Sequence, residues 1–168
     1  EVFNDVLYKF ENSILSETYR IDLSSYSIPE EFFNMNIMDG YKLLLEKGFA
    51  NIKNYFENDD YVIIEIIIQQ KSSSSNIVQV VYSKANNKFF FHEFNDDSNK
   101  ENSESQVLLK QLITLTNNNE LVYLVQPHEI MSCSKSVLED IFQNKSYKSI
   151  DRLANPIIIY CKIKENEK

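Results

Sequence analysis

Glycine is nearly missing from this chain of 168 residues: only Gly40 and Gly48 occur. Loops that cradle phosphates need several glycines within a few positions, so nucleotide binding by those motifs is excluded. Cysteine is as scarce. Cys133 and Cys161 stand far apart and make neither a disulfide framework nor a zinc spacing; a reducing compartment suits them. The histidines are His92 and His128 alone, so chemistry that needs an imidazole has only these two to draw on. No apolar run approaches the roughly 18 residues of a membrane span, and no membrane insertion is expected. Positive charge is short too. Lys and Arg number 17 against 25 Asp and Glu, a net charge of −8. That balance argues against nonspecific nucleic-acid binding and suits a partner that carries basic segments.

Apolar residues make up 43% of the chain and charged ones 25%. This is enough for a real core and too little charge for disorder, so residues 1–168 are expected to form a single α+β domain. The chain begins at Glu1 rather than Met, which fits a processed or trimmed product with any transit peptide out of view.

Phe3, Val6, Leu7, Phe10 and Ile14 recur at helical steps, which predicts a helix over residues 1–17. "YRIDLSSYSIPEEFFNMN" follows as an irregular connection, with Ile28, Phe32 and Phe33 as core plugs. In "DGYKLLLEKGFANIKNYF" the two glycines bracket residues 41–47, a length ordinary for a strand and short for a helix. We read 41–47 as a strand, Gly48 as the turn and 50–57 as the returning strand. "YVIIEIIIQQ" is rich in β-branched residues and reads as a strand, and "KSSSS" as a connector. Ala85-Asn86-Asn87 turns one hairpin, between 77–83 and 88–94. A second hairpin is expected at 107–116 and 120–126. Helices at 136–144 and from about residue 150 would close the chain. The expected sheet spans 41–126: seven strands, antiparallel and strongly twisted, with one helix before it and a helical pair, 136–168, after it.

Three stretches in order carry a likeness: "GYKLLLEKGFANIKNYFENDDYVIIEIII", "NIVQVVYSKANNKFFFHEF" and "LEDIFQNKSYKSIDRLANPIIIYCKIKENEK". Together they resemble the mitochondrial acidic matrix protein family, also called the mitochondrial glycoprotein family, which includes the receptor for complement globular heads. The resemblance implies a ring-shaped homotrimer in the mitochondrial matrix. It implies a chaperone-like protein that binds many partners and supports oxidative phosphorylation or mitochondrial translation, and it leaves association with RNA or ribosomes open. Pro156 departs from the family pattern, since proline kinks or breaks a helix; without the resemblance "PIIIYCKI" reads as a strand.

No catalytic constellation stands out. His92 and Glu93 are neighbours on a predicted strand and point to opposite faces. His128 and Cys133 are the least implausible reactive pair, and an enzyme built on them is one rival reading. No cofactor or metal site is expected. Asp96, Asp97, Glu101 and Glu104 in "NDDSNKENSES", with Asp59 and Asp60 second, are the candidate acidic surface for basic partners. A single-partner protein of immunity or secretion-chaperone type is the other rival. Phe89, Phe90 and Phe91 are consecutive, so one strand carries aromatics on both faces. One face can pack inward; the other meets solvent, a partner or a second copy.

Overall fold

A computed structural model describes residues 5–71, 75–94, 109–142, 146–152 and 154–164. Among them lie nine strands: β1 (Val6–Glu11), β2 (Ile14–Arg20), β3 (Phe49–Glu57), β4 (Tyr61–Gln69), β5 (Ser75–Ser83), β6 (Lys88–Phe94), β7 (Leu112–Leu115), β8 (Glu120–Val125) and β9 (Ile157–Lys162). The helices are α1 (Ile37–Lys47), α2 (Pro127–Ser132) and α3 (Lys135–Ile141). The fold is α+β with antiparallel strands, but the strands form three sheets rather than one. Their orders are β1-β2, β3-β4-β5-β6 and β7-β8-β9.

The first correction is at the N-terminus. Of the helix expected over 1–17, the described part is instead the first arm, the turn and the start of the second arm of a hairpin that runs on to Arg20, with Glu11 opposite Ile14 and Phe10 opposite Leu15. Asn12 and Ser13 both take positive φ, 50° and 62°. That is the backbone of a two-residue turn whose twist matches its flanking strands, and asparagine tolerates it well. The aromatic and branched residues around it then fill strand positions, and the helical spacing loses.

The second correction is α1. Residues 41–47 belong to an eleven-residue helix that begins earlier, at Ile37. Asn36 caps it, its side chain accepting from the Asp39 amide at 3.1 Å. Asp39 lies in the first turn and Lys47 in the last, each matched to the helix dipole. Gly48 ends the helix and does not turn a hairpin. It takes φ 79°, and its amide reaches the Leu44 carbonyl at 2.8 Å. A Cβ there would stand 2.9 Å from the Gln69 carbonyl oxygen. Gly40 sits inside the helix for space: a Cβ would meet the Phe32 ring at 2.9 Å.

The third correction is at the C-terminus. No helix runs on from residue 150 within the described residues. Pro156 instead leads into β9, which pairs antiparallel with β8 from Val125↔Ile157 to Glu120↔Lys162. Proline has no amide to give a helix, and the isoleucine run that follows suits a strand. Only α3 remains of the expected helical pair, ending at Ile141.

The chain divides into two compact units. The first comprises residues 1–55, 63–81 and 89–93; the second comprises 56–62, 82–88 and 94–168. In the first, Leu44, Ala50, Ile63, Ile64, Ile66 and Val80 are buried. In the second, Val62, Leu112, Leu121, Tyr123, Val125, Ile130, Leu138 and Ile159 are. Turns tie the second unit together. Asn58 donates to the Thr116 carbonyl and to Asn119 Oδ1, both at 2.8 Å. Asn119 donates to Asp60 Oδ2 at 2.7 Å. Lys84 Nζ reaches Glu57 Oε1 at 2.6 Å and the Asn58 carbonyl at 2.7 Å.

Candidate functional site

The acidic surface expected from sequence is not assembled among the described residues. Asp96, Asp97, Glu101 and Glu104 lie outside them. Asp59 is exposed in the β3–β4 turn. Asp60 serves that turn: its amide donates to Asn58 Oδ1 at 3.0 Å, its carbonyl accepts from the Lys84 amide at 2.9 Å, and its carboxylate holds Asn119.

Nor does the fold gather His128 and Cys133. His128 is the second residue of α2 and Cys133 follows its last. Five helical residues turn the chain to about 140° from the starting direction, so the two do not share a face. The Cys133 thiol donates to the Glu129 carbonyl at 3.3 Å. His92 lies on β6 beside Glu93, and Glu93 accepts from Asn76 at 2.9 Å. Among the described residues no group of three His, Cys, Asp or Glu could hold a metal ion. A groove of about 470 Å³ in the first unit is lined by Ser25, Tyr26, Lys47, Gln70 and Lys71. Its Lys47 is already committed to Glu31 at 2.8 Å.

What the fold does present is apolar surface. On α1, Ile37, Met38, Tyr41 and Leu45 are exposed, Ile37 by 71%. Gly40 and Leu44, both buried, lie along one edge of the stripe these form, Leu44 two turns on from Ile37. Steps of four place 37, 41 and 45 on one stripe, with 38 beside it. Phe33 and Met35, just before the helix, are exposed as well. Phe33 stands edge-on to Phe32, ring centres 5.4 Å apart, and Phe32 is the ring against which Gly40 packs. The stripe thus borders the edge by which the helix is fixed.

Two further apolar surfaces belong to strands. On the N-terminal hairpin Tyr8, Phe10 and Leu15 are exposed on a common face, since Phe10 is opposite Leu15 and Tyr8 is two residues from Phe10. On β6, Phe89, Phe90 and Phe91 are all exposed. Phe89 and Phe91 share a face, their rings stacked 6.5 Å apart at 20°, and Phe90 points the other way.

Sequence reading found the β6 aromatics and missed the α1 stripe. The signal was present in the spacing of Ile37, Met38, Tyr41 and Leu45, but it begins before Gly40, outside the segment that the glycines bracket. No helix among the described residues is long and apolar enough to cross a membrane. Comparison with protein-family models, with curated proteins and with solved structures finds no match for this chain.

Proposed function

We propose that this chain is a non-enzymatic protein-binding module whose partner docks on the outer stripe of α1. The observation that supports this reading is the exposed apolar stripe that continues past the buried edge of one short helix. Leu44 and Gly40 bind it to its own unit, while Ile37, Met38, Tyr41 and Leu45 face outward. Single exposed apolar residues are ordinary on any protein; four together on an anchored helix are the kind of patch that marks an interaction site. Net charge of −8 selects the partner's chemistry: an apolar face flanked by Lys or Arg, drawn in by charge and held by packing.

The reading keeps two expectations drawn from the residues themselves, a basic partner and no catalytic role. The ring trimer and the matrix role drew on a seven-stranded layer, which three sheets replace, and they form no part of the proposal.

A photo-crosslinking amino acid at position 41, in extract of the source cells, tests it. Adducts to other proteins are expected that disappear with Leu45→Asp and weaken at high salt. Position 46, whose glutamate is exposed and turned about 140° from Tyr41, serves as the control. Adducts of equal yield at 41 and 46, or adducts that survive Leu45→Asp, overturn the reading.

A further inference from the structure

The groove in the first unit carries a charge opposite in sign to that of the whole chain. Ser25, Tyr26, Lys47, Gln70 and Lys71 line its volume of about 470 Å³. Each of these side chains ends in a group that can donate a hydrogen bond, and two of the groups are ammoniums. None of the five is acidic, in a chain with 25 acidic residues against 17 basic ones.

Three separate pieces of chain bring them together: the single helical turn Ser24–Tyr26, the last residue of α1, and the two residues that follow β4. They meet at Gly48. A Cβ there would stand 2.9 Å from the Gln69 carbonyl oxygen and 3.3 Å from the Tyr26 ring. The bare backbone therefore lets the turn and the end of β4 close on the end of α1. The turn is also pinned from within. The Ser24 amide donates to Asp22 Oδ1 at 2.8 Å, and the Tyr26 amide donates to the Leu23 carbonyl at 3.0 Å. The walls are thus formed in advance of any ligand, which lowers the cost of binding one.

The donors are available. Among the described residues the side chains of Ser25, Tyr26, Gln70 and Lys71 have no hydrogen-bond or ion-pair partner. Lys47 holds Glu31 at 2.8 Å, but both side chains are about half exposed. Such a pair is weak, and an ammonium has three protons to share. Lys47 also offsets the carbonyl end of α1, so Lys71 is the cation left for an incoming anion.

We propose that this groove binds a small phosphate monoester. A phosphate group brings three acceptor oxygens and up to two negative charges, which suits two ammoniums flanked by neutral donors. A carboxylate brings two oxygens and one charge, and would leave donors idle. The volume exceeds what a phosphate group fills and the lining is polar, so the body of the ester is polar as well.

Glycerophosphate is the probe, titrated into isotope-labelled protein and followed by amide NMR. Saturable shifts are expected at the Gln70 side-chain amide and the Lys71 backbone amide, with weaker binding of inorganic phosphate and none of glycerol. Lys71→Met and Lys47→Met should each weaken binding about ten-fold, the loss of one charge-assisted hydrogen bond. Lys42→Met removes the same charge from an exposed position of α1 outside the groove and should change nothing. Equal losses at 42 and 71 mean diffuse attraction and overturn the proposal. The absence of saturable shifts, shifts confined to other residues, or inorganic phosphate binding as tightly as the ester would also overturn it. A phosphoserine peptide that binds far more tightly than glycerophosphate would overturn the assignment to a small molecule.

Discussion

Asn54 on β3 donates its side-chain amide to Glu65 on β4 at 2.6 Å, and the carboxylate it reaches is wholly buried. Lys53 Nζ stands 3.4 Å from the same oxygen, and Gln79 on β5 donates to the other at 3.5 Å. A buried charge is tolerated only while its partners remain. Asn54→Ala should therefore lower stability by about 1.5–3 kcal/mol, the worth of a hydrogen bond to a charged group. The double variant Asn54→Leu, Glu65→Leu should recover part of that loss, since it removes the charge along with its donor. Urea unfolding of the three proteins checks this; equal loss in both variants would refute it.

Asn119 joins two roles at one position. It takes φ 61° and also links Asn58 to Asp60. Asn119→Gly keeps the backbone and loses the bonds, which should cost about 1 kcal/mol. Asn119→Val loses both and should cost about 2–3 kcal/mol more than glycine does, because a branched residue resists positive φ. Thermal melts of the pair give the ordering.

Glu31 and Lys47 form an exposed ion pair at 2.8 Å. The ammonium, through its hydrogen bond first and its charge second, holds the Glu31 carboxyl below its ordinary value. A lowered carboxyl contributes fully above the ordinary carboxylate range, and its contribution fades as pH falls through the depressed value. Carboxyl NMR titration should show Glu31 titrating below an unpaired glutamate. Lys47→Met should return it upward, and added salt should move the wild-type protein the same way. No change in Lys47→Met would show the pair to be idle.

The thiols separate the binding reading from the enzyme built on His128 and Cys133. Burial pushes the Cys161 thiol up, so little of it is thiolate at neutral pH and alkylation should be slower than in the unfolded chain. Cys133, hydrogen-bonded to the Glu129 carbonyl, should react no faster than a free cysteine. A hyper-reactive Cys133 whose rate falls in His128→Ala would revive the enzyme reading.

Much of the sheet was legible along the chain. Strands β3 to β6 lie close to where branched and aromatic runs predict them, because those runs satisfy local preference and burial together. The hairpin turn after β5 shows in its asparagines, one of which, Asn87, takes positive φ. Helix α1 was not legible, because the two glycines look alike in sequence and act differently. Gly48 supplies a backbone angle, while Gly40 supplies room for the ring of Phe32, which lies outside the segment that the glycines bracket. The exposed α1 stripe was lost with the helix that carries it.

The amino-acid sequence by itself determined the class of this protein: α+β and acidic, with two glycines, two cysteines and two histidines. Composition and short-range preference carry that much. Only tertiary structure decided that the N-terminal stripe is a hairpin, that the strands sort into three sheets and that Pro156 opens a strand. Those outcomes depend on which distant residues are present to pair and pack, a choice made by competition across the whole chain and invisible in any one window of it.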